Sequence, residues 1–482
     1  MLASARSVRR GVQAHPAKIV LALASFALAY LAIDPWHDWG GDFAYYLTIA
    51  RNEARGHPSA WGVMRIVAPD GFPELLERLG PPVNFRVGPL KLYNLAYLTV
   101  YLGAVGAMTR ALRGPVAQLC FFAFATVNVW IWFYANRVLT EMPFLALASL
   151  ILLLGLYAER PVARRPVAAA LAMYPLILLG CSLRGAAILL LLLPPVTFAA
   201  RRERSWIVLG GLGALSAACL ASVRSLAFFT PPDLALDLSL AELIVTAFGK
   251  LGDELEGFAW MMTGQRAPVL VGVLVAGLAG VGAVRRLMAR RWAAPAFIVL
   301  ASAPMFLVPW TAWGGRYWFG VLPAVALLVT EGLLTLAAVL PRLRAAPLAL
   351  VTVAAVVSHL TAAGPLVYTE RDRGAYSREA DLAFTWINEN TAWRAPVCMD
   401  KPRILAFRAN IPVTCGLPGA GTPDVIEAVL EAKGGRGVFR PGAPAETFAY
   451  YRARPERVLY DEGGFLVVTP PGVTTIEAGG AP

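Results

Sequence analysis

Charge is what this sequence has least of. Only 15% of its residues are Asp, Glu, Lys or Arg, against roughly 25% in a soluble globular domain. Hydrophobic residues make up 57% and the mean hydropathy is +0.59, so most of the chain does not face water. Cysteine is sparse as well. Cys120, Cys181 and Cys219 lie in apolar runs and read as small core residues, and Cys398 and Cys415 lie in the C-terminal tail. No CxxC pair and no Cys/His cluster with zinc spacing is present, which excludes a zinc module of the usual kind. His37 and His57 share a stretch with several acids, but a lone histidine is more often a polar surface residue, so no metal or other cofactor is expected. No Gly-rich phosphate loop, internal repeat or low-complexity tract stands out.

What is present is a series of apolar runs of about 17 to 25 residues, the length that crosses a bilayer core. Eleven spans are expected: Ala17–Ile33, Leu90–Met108, Val116–Tyr134, Met142–Ala158, Val167–Leu183, Gly185–Ala200, Trp206–Val223, Val269–Val284, Ala293–Pro309, Tyr317–Ala337 and Ala346–Ala363. The first resembles a signal peptide and is read as an uncleaved anchor. The net charge of +12 would suggest nucleic acid in a soluble protein. Here the cations sit in short loops between runs, so orientation is the better explanation and no nucleic-acid partner is expected.

Alternate loops hold the basic clusters: Arg6, Arg9, Arg10 and Lys18; Arg110 and Arg113; Arg160, Arg164 and Arg165; Arg201, Arg202 and Arg204; Arg285, Arg286, Arg290 and Arg291; Arg342 and Arg344, with Glu159 and Glu203 the acids among them. This predicts a cytoplasmic N-terminus and an outer C-terminus. Val167–Ala200 could instead be one long helix with Arg184 in its middle, which would move every later cluster outside. A turn at Arg184 restores the alternation and is preferred.

The expected fold is an all-α polytopic membrane bundle, residues 1–363, with a small outer α/β domain, residues 364–482. Two outer loops are long, 34–88 and 224–268, the second holding Asp233, Asp237, Glu242, Asp253, Glu254 and Glu256. In the tail, Asp381–Asn390 reads as helix and Pro396–Met399, Ile411–Cys415 and Phe465–Thr469 as strands, with helices near Ile404–Ala409 and Val425–Ala432. Cys398 and Cys415 could then sit on neighbouring strands of a β-α-β unit, where an oxidising exterior permits a disulfide if strand geometry suits it.

Some charges lie where orientation does not call for them. Asp42 follows the first span, Arg137 and Glu141 flank the start of the fourth, Arg184 is at the fifth-to-sixth turn, and Arg316 opens the tenth. Ionisable groups at membrane depth are costly and usually pair or line a polar cavity. Arg137, Arg184 and Arg316 could together hold an anion such as a phosphate, which arginine grips bidentately, while the carboxylates handle a proton. Each has a plainer reading. A terminal Arg often snorkels to the headgroups, Arg137 and Glu141 are spaced as a helix-surface pair, and Asp42 could be the solvated start of a loop. Taken singly, each is more often structural than functional.

Taken in order and by membrane side, Asp42, the run Arg137-Val138-Leu139-Thr140-Glu141-Met142-Pro143, and Arg316-Tyr317 with Pro323 resemble the GT-C glycosyltransferases that use polyprenyl-phosphate sugars. The similar members are protein O-mannosyltransferases, lipid A aminoarabinose transferases and lipopolysaccharide-core enzymes, and the resemblance covers roughly 36–340, with a weaker match in the tail. The family often has Lys-Pro-Pro-Leu before its second span. This chain has Arg86-Val87-Gly88-Pro89-Leu90, with Arg86 in the lysine's place. Phe43 stands where a second acid often follows the first, and Glu141 where relatives often have Asp.

The resemblance implies an inverting transfer on the extracytoplasmic face of a bacterial inner membrane. The donor is a polyprenyl-phosphate sugar and the acceptor a lipid, glycan or protein hydroxyl. Asp42 would be the general base and Glu141 would orient the donor or hold Arg137. Arg86, Arg137, Arg184 and Arg316 would bind the donor phosphate, and Tyr45, Tyr46 and Tyr317 would contact substrate. The runner-up, a transporter or flippase of a lipid-linked sugar, would be expected to show repeats and interrupted helices at matching places. A non-catalytic scaffold would not explain carboxylates at one membrane level.

Overall fold

A computed structural model describes residues 16–34, 41–56, 71–79, 87–201, 205–225, 240–307, 316, 318–339, 346–368, 377–392, 395–411, 413–419 and 421–473. The chain runs through α1 (Pro16–Ala32), α2 (Gly41–Ala54), α3 (Gly71–Leu79), α4 (Gly88–Met108), α5 (Pro115–Thr126), α6 (Val129–Ala135), α7 (Glu141–Ala158) and α8 (Pro166–Leu183). A 3₁₀ stretch, Gly185–Leu192, leads to α9 (Leu193–Ala199), α10 (Trp206–Ser225), α11 (Leu240–Thr263), α12 (Val269–Met288), α13 (Ala293–Leu307), α14 (Leu322–Val339) and α15 (Ala346–Ala363). The tail follows as α16 (Arg378–Asn390), β1 (Val397–Met399), α17 (Pro402–Arg408), β2 (Thr414–Gly416), α18 (Pro423–Lys433), β3 (Arg436–Phe439), α19 (Ala445–Arg452), β4 (Val458–Glu462) and β5 (Phe465–Val468).

Every expected apolar run is helical over most of its described residues, with a break at Val127 and Asn128 in the third. Among the described residues, five helices are long and apolar enough to cross a membrane: Glu141–Ala158, Pro166–Leu183, Val269–Met288, Phe319–Val339 and Ala346–Val367. The pair α5 and α6, bent by 40°, makes a sixth if it is one span. At Arg184 the backbone turns extended, φ −147° and ψ 114°, and the 3₁₀ stretch and α9 pack back on α8. The chain therefore reverses at Arg184 rather than continuing as one long helix.

Two compact units form. The helical unit comprises Met1–Ile33, Leu92–Asn136 and Thr140–Tyr368. Its α12 and α14 pack through small residues, since a Cβ on Gly282 would collide with the Leu328 carbonyl and one on Gly332 with that of Leu278. In lipid, such close backbone approach replaces the hydrophobic drive of water-soluble cores. The break between α5 and α6 frees backbone groups that must be satisfied inside. Asn128 caps α6 by accepting from Trp130 N at 3.0 Å, and His359 Nδ1 accepts from Val129 N at 3.3 Å. Deeper still, Arg286 donates to Glu331 and to Glu159, both at 2.8 Å. The second oxygen of Glu159 accepts from Ala293 N at 2.7 Å, placing negative charge at the start of α13.

The second unit comprises Asp34–Lys91, Arg137–Leu139 and Thr369–Pro482, so the first loop's helices group with the tail. Its sheet has the order β2-β1-β3-β5-β4. The first three strands are parallel and joined by helical crossovers, and β5 runs antiparallel to β3 and β4. Gly463 and Gly464, at φ 59° and 79°, make the tight β4–β5 turn, which requires positive φ at both positions. Cys398 faces Cys415 in register and the two form a disulfide, with Cα atoms 4.3 Å apart. Cys398, Leu430, Phe439, Tyr451 and Val468 share the core of this sheet. The strand β3, the helix α19 and the strand β4 are additions to the elements expected from sequence.

Candidate active site

In the helical unit, Glu141 is the first residue of α7 and is fully buried. Its Oε1 meets the Nη2 of Arg184 at 3.6 Å and accepts from the Nε of Arg316. Thr140 at the N-cap makes no side-chain bond to the helix, so the carboxylate itself brings negative charge to this N-terminus. Arg184 comes from the turn after α8, and its guanidinium lies 5.5 Å from the centre of the Phe144 ring. Gly320 lets the Phe144 ring sit against the backbone, where a Cβ would collide with it. The side chains of Arg184 and Arg316 are 10% and 25% exposed, whereas that of Glu141 is 0% exposed. Among the described residues, Glu141 Oε2 has no hydrogen-bond partner. The result is one buried carboxylate that meets two guanidinium groups, each keeping part of its surface exposed. Such an arrangement suits an anion that accepts from planar forks.

Two positions beyond Arg316, Trp318 Nε1 donates to Glu254 Oε2 at 2.9 Å. Glu254 is 1% exposed on α11. The sequence reading placed it among loop acids with no role. Its neighbours Asp253 and Glu256 are exposed, and nothing in the local sequence separates the one that turns inward.

In the second unit, Asp42 lies in the first turn of α2. Its Oδ1 accepts from Arg403 Nη1 at 3.1 Å, with the side chains 31% and 28% exposed. The Arg403 guanidinium lies 5.9 Å from the Tyr45 ring centre. Tyr45 and Tyr46 are buried, meet edge to face, and continue to Phe72 on α3. Arg137 belongs to this unit and is buried in a bend, four residues before α7 begins. It shares no helix with Glu141, so the two are not a helix-surface pair. Lys91, fully buried, donates to the Asp34 carbonyl at 2.8 Å. The sequence reading left this lysine inside the second span.

Arg86 and Tyr317 lie outside the described residues, as do His37 and His57. Among the described residues there is no group of three metal-ligating side chains. A cleft of about 380 Å³, counting its open mouth, lies at the carboxyl ends of β1, β2 and β3 and is lined by Asp400, Arg440 and Thr447 among others. None of the residues singled out from the sequence lines it.

No protein-family model matches the chain, and no curated protein does. Solved structures do. ArnT from Cupriavidus metallidurans, solved in the apo state and bound to undecaprenyl phosphate, has a TM-score of 0.56 at 15% identity, covering 93% of this chain and 97% of that one. The archaeal oligosaccharyltransferase AglB from Archaeoglobus fulgidus, in complex with an inhibitory peptide and a dolichol-phosphate, has a TM-score of 0.54 at 13% identity, covering 87% of this chain and 69% of that one. The Archaeoglobus fulgidus oligosaccharyltransferase solved with Zn and sulfate gives 0.54 at 16% identity, over 88% and 67%. At such identities the likeness shows the fold, and it is the GT-C type fold that the sequence resembles.

Proposed function

We propose that this protein is a membrane glycosyltransferase that moves a sugar from a polyprenyl-phosphate carrier to an acceptor hydroxyl on the outer face of a bacterial inner membrane, with inversion. The observation that carries this reading is Glu141 holding Arg184 and Arg316 within the helical unit. A phosphodiester donor needs its leaving phosphate stabilised as charge develops, and fixed guanidinium forks do this best where water is scarce. The neighbours solved with undecaprenyl phosphate and with a dolichol-phosphate support the choice of carrier. Arg184 and Arg316 hold the phosphate, Arg137 and Arg86 add positive charge, and Glu141 orients the forks. Asp42 takes the proton of the attacking hydroxyl. Tyr45, Tyr46 and Tyr317 contact substrate. The bond from carrier phosphate to the anomeric carbon breaks as the acceptor oxygen bonds to that carbon from the opposite side.

In this reading the chain crosses the membrane eleven times, N-terminus in the cytoplasm and tail outside. A single cysteine placed at Tyr450 should react with a membrane-impermeant reagent in intact cells. Labelling only after lysis would remove one crossing.

The decisive assay uses the purified full chain in detergent with a panel of undecaprenyl-phosphate sugars and a cell-envelope extract as acceptor, reading the undecaprenyl phosphate released. Turnover without compartments separates a transferase from a transporter. Asp42→Asn keeps size and polarity but cannot accept the proton, so transfer should fall by about 10²- to 10⁴-fold while the protein stays folded. A normal rate from a folded Asp42→Asn protein would end the general-base assignment.

A further inference from the structure

We infer that Arg403, contributed by the C-terminal part of the chain, is a positioning residue for Asp42, which makes the tail's β-α-β segment a working part of the transferase. The inference rests on the reading of Asp42 as general base. Its geometry is independent of that reading.

Arg403 opens α17, directly after β1, in Asp400-Lys401-Pro402-Arg403. The strand β1 is held on both sides, by β2 and β3, and its Cys398 is bonded to Cys415. Pro402 at the first helical position sets the start of α17. The base of Arg403 is therefore tied to the most constrained element of the sheet.

The helices α17 and α2 pack together, with an arginine bonding across the pair near each end of α17. At the amino ends, Arg403 donates to Asp42. Next to it, Phe43 meets Phe407 edge to face, with ring centres 6.0 Å apart. At the carboxyl ends, Arg51 donates to the Phe407 and Ala406 carbonyls at 2.9 and 3.4 Å, satisfying acceptors that a helix end leaves open. Burial pushes the Arg51 guanidinium down to about 10, which still leaves it charged at neutral pH. Arg51 has ample work as a structural cap. Arg403 does not: α17 is already fixed by Phe407 and Arg51, and Arg403 spends its fork on a half-buried carboxylate beside the face of Tyr45.

The consequence is orientation. An aspartate in a helix's first turn has freedom about two side-chain torsions. A charge-assisted bond to Oδ1 fixes the plane of the carboxylate, and misplacement of a catalytic group by even 1 Å is costly to rate.

The test is a double-mutant cycle on the full chain in detergent, using the undecaprenyl phosphate release assay. Arg403→Gln should lower kcat by about three- to tenfold, with the donor KM unchanged within twofold. Arg403→Lys should recover most of that loss. In the Asp42→Asn background Arg403→Gln should cost nothing further, because the group it positions is gone. A merely structural role would lower both backgrounds by the same factor, and that outcome overturns the inference, as does an unchanged kcat in the single variant. A melting curve of each variant shows whether a loss is unfolding, in which case the Lys variant carries the comparison. Should Asp42→Asn itself run at the normal rate, the base assignment falls and this inference falls with it. Should Asp42→Asn fail while Arg403→Gln runs normally, only the role of Arg403 falls.

Discussion

Among the described residues of the helical unit, two buried clusters have the same chemistry in opposite proportion. In one, Arg286 lies between Glu159 and Glu331, with side chains 1%, 3% and 7% exposed. In the other, Glu141 lies between Arg184 and Arg316, with side chains 0%, 10% and 25% exposed. The first cluster is closed. Its bridging cation, Arg286, is matched by two carboxylates, and one of these, Glu159, also accepts a backbone N–H from α13 and lies near Arg291. The second is open in the sense that matters for binding. Its shared ion is the hidden one, and the two guanidinium groups keep part of their surface exposed. Burial and ion pairing alone therefore do not separate staple from site. The sign of the shared ion and the exposure of the groups around it do.

The largest expected effect breaks the closed cluster. Arg286→Met leaves two carboxylates buried without their cation, which costs about 3–5 kcal/mol. The melting temperature in detergent should fall steeply and the yield of folded protein with it. The triple variant Arg286→Met, Glu159→Gln, Glu331→Gln removes all three charges and should recover most of that stability, since a buried triad is often replaceable by uncharged groups. Activity should follow folded protein in both. Loss of transfer in a stable triple variant would move this cluster from staple to site.

This contrast was only half legible in the sequence. The apolar runs declared the helices, because nothing but a bilayer or a buried core accommodates such length without charge. The β-α-β pairing of Cys398 with Cys415 was legible for a similar reason, two short apolar strands around a short helix. Glu331 was invisible inside its apolar run, since its partner Arg286 is 45 positions away and sits in what reads as a basic loop cluster. Glu141 was singled out, but with Arg137 as its expected partner. The helix begins only at Glu141, so the residue four positions earlier does not share its surface, and the partners come from 43 and 175 positions on. Arg403 lies 361 positions from Asp42, beyond any periodicity. The strand β3 escaped notice because Arg436–Phe439 is four residues long and follows Gly434-Gly435, with no alternation to betray it. Local order follows from local spacing, whereas the choice of charge partner follows from packing.

A smaller effect sharpens the comparison from the open side. Arg316→Lys keeps the positive charge and loses the planar fork. One charge-assisted bond to the donor phosphate is then forfeited, worth about 1.5–3 kcal/mol, so kcat/KM for the donor should fall by about ten- to a hundredfold. The melting temperature should hardly move, because the side chain is a quarter exposed and lysine can be solvated there. A variant equally damaged in stability would make Arg316 a staple like Arg286.

The smallest effect is expected at the residue that looks most catalytic by burial. Glu141→Gln keeps a carbonyl oxygen at the position of Oε1, so Arg184 and Arg316 retain an acceptor between them. What disappears is one negative charge. Two guanidinium groups then face each other across an uncharged amide, and their exposed parts let water screen the repulsion. The forks should loosen rather than separate. One negative charge fewer strengthens the pull of the guanidinium groups on a phosphate even as the geometry degrades. These two changes oppose each other in donor binding, so the donor KM should shift by no more than about threefold, while kcat falls by roughly tenfold, because only the transition state demands the aligned forks. Initial rates across donor concentration resolve the two constants. A fall in kcat as deep as that of Asp42→Asn would mean that Glu141 itself handles the proton, and the roles of the two carboxylates would have to be exchanged.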